Sequence, residues 1–113
     1  MINDKNISIA LRKLGVPPSL TGFEYILTSI KLINENKYYC YHTWELYHEV
    51  ANRHNTTHIR CERCIRHAVE ISFKYGGLKA IEEVFGSAYD STKGKPTNSE
   101  FLACLYEYLR YER

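Results

Sequence analysis

Long apolar runs are absent from this sequence: no stretch approaches the roughly 20 consecutive apolar residues that span a bilayer. The first residues, MINDKNISIALRKL, are polar and amphipathic and do not form a signal peptide. Only four cysteines occur in 113 residues, and they do not make a disulfide framework for a chain of this size. We therefore expect a cytoplasmic protein with reduced thiols and no membrane partner.

Charge of one sign is also scarce, because the net charge is only +2, and this total says little about partners. No activated nucleophile, carboxylate pair or phosphate-binding loop stands at a useful spacing, so we expect no enzymatic activity and no cofactor. The sequence has no internal repeat, low-complexity tract or linker, and its length fits one domain spanning residues 1–113.

Strand-like alternation is missing as well, and apolar residues recur instead at helical spacing. Pro96, Thr97 and Glu100 fit the start of a helix closed by a capping box. We predict an all-α fold, a single six-helix domain. Its helices are ISIALRKL, FEYILTSIKLI, TWELYHEVANRH, a long helix from about His58 to Tyr75, LKAIEEVF and TNSEFLACLYEYLRYER.

Arginine dominates one face of the long helix, within NTTHIRCERCIRHAVE at residues 55–70. Four arginines lie between Arg53 and Arg66, and Glu62 is the only acid among them. A short amphipathic helix and the polar turn HNTT come before it, with Thr56 or Thr57 as the cap of the long helix. This is the layout of a helix-turn-helix, predicted at about residues 44–75. The alternative is a solvated face with Glu62–Arg66 as an i,i+4 ion pair.

Histidine or cysteine also falls at every third position of this helix, at His58, Cys61, Cys64 and His67. At about 100° per residue the two histidines lie on opposite sides, so one straight helix cannot aim all four at one ion. We therefore predict no metal site, and we expect both cysteines on the buried face. A thiol or metal sensor acting through them is an alternative, which rapid labelling or stoichiometric zinc would support.

The same stretch resembles the signature of the C-terminal effector domain of stage-zero sporulation protein A, the response-regulator family that starts endospore formation. The matching residues are Asn55 to Thr57 and then R-x-E-R-x-I-R-H-A, from Arg60 to Ala68, with Glu70. KGKPTNSEF at residues 93–101 matches a second family signature, and residues 15–25 look like the family's first helix junction. The resemblance covers nearly the whole chain, and the family's domain is a six-helix bundle.

The resemblance implies a sequence-specific transcription regulator that binds double-stranded DNA at elements close to tgtcgaa. Glu62 and Arg63 would read bases, because arginine suits a guanine edge and glutamate accepts from cytosine N4. We expect His58 either to contact phosphate or to be an exposed first-turn residue. Lys93 and Lys95 either contact phosphate or lie in a solvated loop. The phosphate-positioning set is Thr56, Thr57, His58, Arg60, Arg66, His67, Lys93 and Lys95.

Comparison with the family raises three points about partners. LKAIEEVFG lies where the family contacts an RNA polymerase sigma factor, although its residues match less well. The family's proteins carry an N-terminal receiver domain. If the present chain is complete, phosphorylation cannot control it in the family's way; if it is a fragment, the receiver domain is simply missing from it. The tyrosine-rich stretch YYCYHTWELY and His48 stand where the family is aliphatic and has a proline. We therefore keep a second hypothesis, a short interaction protein that pairs or competes with the full-length regulator, beside a homodimer on tandem sites.

Overall fold

The computed structural model describes residues 2–86 and 94–111, and the account below concerns these ranges. They contain seven helices and no strand. The all-α prediction is confirmed, and all six predicted helices are present; the structure adds one short helix, α3, which the sequence did not predict. The helices are α1 (Asp4–Lys13), α2 (Thr21–Glu35), α3 (Tyr38–Tyr41), α4 (Thr43–His54), α5 (His58–Tyr75), α6 (Leu78–Phe85) and α7 (Asn98–Tyr111).

Side-chain caps mark where α1 and α7 begin. The Asn3 side chain accepts a hydrogen bond from the Asn6 amide at 2.8 Å and so starts α1. At α7 the capping box predicted from the sequence is formed: the Thr97 amide donates to the Glu100 carboxylate at 2.9 Å. The Glu100 amide donates in return to the Thr97 hydroxyl at 3.2 Å. These bonds satisfy amides that have no partner inside a helix.

Helix α2 lies at the centre of the bundle and packs against α1, α4, α5 and α7. Its side chains Ile26, Ile30 and Ile33 are fully buried. Each such side chain stabilises the fold by about 1.5–3 kcal/mol relative to an exposed one. Ile65 of α5 and Phe101 of α7 complete the same core. Among the described residues, none of the helices combines the length and apolar character needed to cross a membrane.

Helices α2 and α5 approach each other closely at Gly22. A Cβ atom at this position would collide with the backbone carbonyl oxygen of Cys64. The close approach places the first turn of α2 beside the arginine-bearing half of α5. It also corrects one expectation: Cys61 is buried as predicted, whereas Cys64 is only half-buried, because it packs at the margin of the core and also lines the cleft beside Gly22.

The opposite end of α5 is held against the connector between α1 and α2. The Ser72 hydroxyl, fully buried, donates a 2.7 Å hydrogen bond to the carbonyl of Leu14. Gly15 has φ of +82°, a left-handed conformation that glycine adopts readily, and it lies against Gly76 at the end of α5. The two ends of α5 therefore differ, because the C-terminal end is hydrogen-bonded through Ser72 to the connector between α1 and α2.

Candidate nucleic-acid interface

The turn between α4 and α5 has three residues and a defined conformation. Asn55 ends α4 in the left-handed region, with φ of 53°, which asparagine tolerates better than most residues. The Thr57 hydroxyl accepts from the Arg60 amide at 3.2 Å and caps α5. Of the two candidate caps, Thr57 is therefore the one used. Because its oxygen accepts this bond, its own hydrogen is free to be donated to an external acceptor.

The first three turns of α5 present a cationic surface to solvent. Arg60, Arg63, Arg66 and His67 are all exposed, whereas Cys61, Ile65 and Ala68 on the other side of the helix are buried. This division follows the helical wheel, since residues three and four apart share a face. The cations therefore belong to one outward surface at the beginning of the helix.

Arg60 is placed by its neighbour on α2. A side-chain hydrogen bond with Tyr25 raises the pKa of the Arg60 guanidinium above its ordinary value, with a smaller contribution from Cys64. Arginine is charged in any case, so the consequence is positional. The Tyr25 ring is itself buried, and His54 packs against it edge-on at 5.0 Å between ring centroids. Arg60 is thus oriented by a side chain that cannot move freely.

Arg63 and His67 line a shallow cleft of about 250 Å³ beside the start of α2, with Thr21, Gly22 and Cys64. The residue before α2, Leu20, offers no side-chain cap. The first amides of α2 therefore lack a side-chain partner on the same side of the bundle as the Arg63 guanidinium and the His67 ring. The partial positive charge of a helix start and the charge of Arg63 both favour an anion here, and the His67 ring can donate a hydrogen bond to it.

Glu62 forms an ion pair with Arg66, whose guanidinium lies 3.2 Å from its carboxylate. The pair was the alternative explanation of this face, and it is present. An exposed pair of this kind contributes only about 0.3–0.5 kcal/mol to stability. It is also compatible with base reading, because it orients the Glu62 carboxylate without consuming its acceptor capacity.

Asn98, at the start of α7, ties three helices together beneath this pair. Its side-chain amide donates to the backbone carbonyl of Glu62 at 3.1 Å and to the hydroxyl of Tyr47 at 3.2 Å. Sequence reasoning missed both Asn98 and Tyr47. Asn98 lay inside the motif KGKPTNSEF and was read only as part of a helix start.

Lys95 comes close to Arg66 through the same junction. Both line a cleft of about 460 Å³ between α5 and the start of α7, together with Tyr47, Glu62 and Asn98. Two predicted phosphate contacts from distant parts of the chain therefore share one cleft. Lys93, the other predicted lysine, lies outside the described residues.

His58 occupies a cluster that neither sequence interpretation described. Its ring stacks on that of His48, with centroids 4.0 Å apart and planes at 24°. The Trp44 ring packs edge-on against His58 at 4.5 Å and against His48 at 5.3 Å. We call Trp44, His48 and His58 the Trp–His cluster. The expectation of an exposed first-turn residue is wrong for His58, which is half-buried. The i,i+4 spacing of Trp44 and His48 was the available signal.

The thiols and histidines form no evident metal centre. In residues 2–86 and 94–111, no three histidine, cysteine or acidic side chains come together as a group of ligands. Burial raises the pKa of Cys61 to about 11, and the neighbouring Cys64 adds to the effect. Cys61 is therefore a protonated thiol at neutral pH, which is the less reactive form.

A family model described as sporulation initiation factor Spo0A C terminal matches residues 7–109 of the 113. The match runs from the buried Ile7 of α1 to the buried Leu109 of α7 and includes the whole α4–turn–α5 unit.

Proposed function

This chain belongs to the family of Spo0A C-terminal domains, which are DNA-binding effector domains of a sporulation initiation factor. From that premise we propose that it is a sequence-specific transcription regulator whose recognition helix is α5. One observation carries the proposal: Arg60, Arg63 and Arg66 are exposed on the first turns of a helix that follows a three-residue turn. In a helix-turn-helix this is the end that enters the major groove.

Base reading falls to Arg63 and Glu62 in this proposal. Arg63 is exposed, and in the part of the chain that the structure describes it forms no ion pair with an acidic side chain; the nearby Glu62 pairs with Arg66 instead. The Arg63 guanidinium is therefore free to bond the O6 and N7 atoms of guanine. Glu62, held by Arg66, accepts from the amino group of a cytosine. Elements resembling tgtcgaa offer both edges.

Phosphate contacts surround these two residues. Arg60, Arg66 and Lys95 supply charge, and His67 lies beside the start of α2. The Thr57 hydroxyl and the half-buried Thr56 supply donors at the turn. Phosphate contacts fix the register of the helix on the duplex but carry no sequence information. The protein would work in the cytoplasm of the cell, where its DNA lies.

The test is fluorescence anisotropy with a labelled duplex that carries two tandem tgtcgaa elements, beside a scrambled duplex of equal composition. Arg63→Ala should weaken binding to the tandem duplex by about 1–3 kcal/mol and leave scrambled binding nearly unchanged. Arg12→Ala, an exposed arginine of α1, is the matched control and should change neither. An equal loss on both duplexes would contradict base reading by Arg63.

A second candidate function is an interaction protein that pairs or competes with the full-length regulator. The observation in its favour is that α3 exposes Tyr41 by 82% and Tyr38 by 47%. Exposed aromatic side chains are enriched where proteins bind each other. Mixed occupancy of a tandem duplex by this chain and the full-length regulator would support pairing. Independent occupancy with no mixed species would count against it.

Two further partners belong to the proposal. A homodimer on tandem elements is proposed because the DNA element is repeated, and not because of a known interface between two copies of the chain. A sigma factor would bind α6, where Leu78 is 65% exposed and near the end of α5. Loss of promoter activation, but not of DNA binding, in Leu78→Ala would support that surface.

A further inference from the structure

The Trp–His cluster lies at the beginning of the recognition helix. His58 is the first residue of α5, and Trp44 is the second residue of α4. The two rings contact each other across the helix-turn-helix, and His48 fills the space beside both. The cluster therefore joins the start of the first helix of the motif to the start of the second.

Trp44 is 60% exposed although two rings pack against it. A tryptophan that served only to pack the core would turn its ring inward, since the ring carries a large apolar area. Here the two histidines support the indole from behind and leave its outer surface to solvent. The arrangement holds a flat amphipathic side chain outward in one orientation.

The indole and its place in the helix-turn-helix fit a partner that carries sugar and phosphate. The indole N–H is a donor with no acceptor capacity, and phosphate oxygens are acceptors. In helix-turn-helix proteins the first helix crosses the DNA backbone while the second enters the groove. A side chain that starts the first helix and touches the first residue of the second is therefore next to the backbone at the groove edge.

We propose that the Trp–His cluster is a DNA-backbone contact in which Trp44 packs on a deoxyribose and donates its indole N–H to the adjacent phosphate. His48 and His58 act as positioning residues that hold the indole. The inference rests on the proposed recognition role of α5, because the backbone lies beside the cluster only if that helix enters the groove. Trp44 then contributes to the affinity for DNA but not to the preference for one DNA sequence.

The emission of Trp44 reports on this contact directly, because the chain has one tryptophan. Binding is followed by anisotropy of a labelled duplex with a single tgtcgaa element, and tryptophan emission is recorded on the same samples. Acrylamide, a neutral quencher, reaches Trp44 in the free protein. We expect the quenching constant to fall about twofold or more when the duplex is saturated, because the sugar covers the exposed face.

Two variants and one control separate the contact from folding. Trp44→Phe keeps a ring on the histidines but removes the N–H, and it should weaken binding about threefold on element and scrambled duplexes alike. His48→Ala should weaken binding to a similar extent, and the quenching constant of its bound form should rise because the indole is less well held. Tyr75→Ala, exposed at the far end of α5, is the control and should bind as the parent does.

The outcomes distinguish this inference from the function it rests on. If anisotropy shows binding while Trp44 remains equally open to acrylamide, the contact is wrong and the recognition role of α5 stands. If protection appears only on a tandem duplex, Trp44 contacts a second copy of the chain, which also overturns the inference. If the parent protein does not bind either duplex, the proposed function fails and the inference fails with it. A loss in Trp44→Phe confined to the element duplex would contradict a backbone contact.

Discussion

At the scale of single residues, Cys61 illustrates how burial decides chemistry. Its thiol lies fully buried on the core-facing side of α5, and this burial raises its pKa from the ordinary thiol value of 9.0 to about 11. A thiol whose thiolate is disfavoured reacts slowly with thiol reagents and resists oxidation. Cys64, one turn away, is half-buried and lines the cleft beside Arg63. Two cysteines three residues apart therefore behave differently.

We predict that a thiol reagent at neutral pH labels Cys64 in the folded protein and labels Cys61 only as the protein unfolds. Mass spectrometry of peptides after timed labelling measures both rates. Cys61→Ser should leave the amount of label taken up by the folded protein unchanged, whereas Cys64→Ser should lower it. Rapid labelling of Cys61 without denaturant would contradict its burial and revive a sensor role.

The raised pKa of Cys61 also predicts a dependence of stability on pH. The folded protein holds this proton more tightly than the unfolded chain, so the contribution to stability is complete below pH 9 and is lost as the pH rises toward about 11. The free energy of unfolding should therefore fall over this alkaline range. Cys61→Ala should show a shallower fall in urea titrations at successive pH values, and an equally steep fall would assign the dependence to other groups.

The arginines, the turn and the caps were accessible to sequence reasoning because they depend on neighbours along the chain. Thr57 as cap and the Glu62–Arg66 pair follow from spacings of three and four residues. The stacking of His58 on His48 does not, because it depends on the angle at which two helices meet. Cys64 was misjudged for the same reason: a helical wheel assigns a face but does not show where a neighbouring helix passes.

At the scale of helices, the crossing of α2 and α5 sets the position of α5, the proposed recognition helix. Gly22 allows the two backbones to approach without an intervening side chain, and the obstruction to a Cβ there is a backbone oxygen. Backbone atoms cannot rotate aside as side-chain ends do. The two helices can therefore accept a larger residue only by separating.

We predict that Gly22→Ala lowers the free energy of unfolding by about 1–3 kcal/mol, because the added methyl group pushes α2 away from α5. The matched control is Gly77→Ala. Gly77 has φ of −67° and nothing within 4 Å of an added Cβ, so this change should be neutral or slightly stabilising. Urea unfolding of both variants makes the comparison, and equal stability of the two would show that the helices lie farther apart than described.

The junction of α4, α5 and α7 provides a second prediction. Asn98→Ala removes both hydrogen bonds to Glu62 and Tyr47 and should cost about 1–2 kcal/mol of stability. It should also weaken DNA binding, since the start of α7, which follows Lys95, is no longer tied to α5. Ser99→Ala, which loses only a bond to Thr43, is the neighbouring control. Unchanged DNA affinity in folded Asn98→Ala would separate the junction from function.

At the scale of the whole molecule, the distribution of charge matters more than its total. The net charge is +2, yet exposed cations gather on the first half of α5 and beside the start of α7. Attraction to DNA is therefore local to this side and weak elsewhere. Salt should act on it through the counterions that these few contacts release from phosphate.

We predict that the logarithm of the binding constant falls with the logarithm of salt concentration with a slope of about −3.6 to −4.5, as for about four or five neutralised phosphates. Lys95→Ala and Arg66→Ala should each reduce the size of the slope by about one, on matched and scrambled duplexes alike. Arg110→Ala, paired with Glu107 near the end of α7, is the control. A slope unchanged in Lys95→Ala would place that lysine in solvent.

Sequence periodicity predicted the six main helices because each has enough turns for its apolar stripe to repeat. It missed α3, since four residues make a single turn and none of them is buried. Periodicity could not predict that Asn98 and Trp44 lie beside α5, because residues from distant parts of the chain meet there. The exposed arginines were thus predictable as a set of residues on one helix, whereas the way three helices bring Trp44, Asn98 and Lys95 to the proposed DNA surface was not.

The buried bond from Ser72 to Leu14, at the far end of α5, has a consequence for motion. It fixes the C-terminal half of the helix to the connector between α1 and α2. The arginine-bearing half is held by the α2 crossing, by the bond from Asn98 to the carbonyl of Glu62 and by the Trp–His cluster, but its first amides depend on the Thr57 cap because they have no partner inside the helix. Amide hydrogens should therefore exchange with solvent most slowly near Ser72 and faster toward Arg60. Opening of the helix should begin at the end that the proposed function brings to DNA, while the domain behind that end stays unchanged.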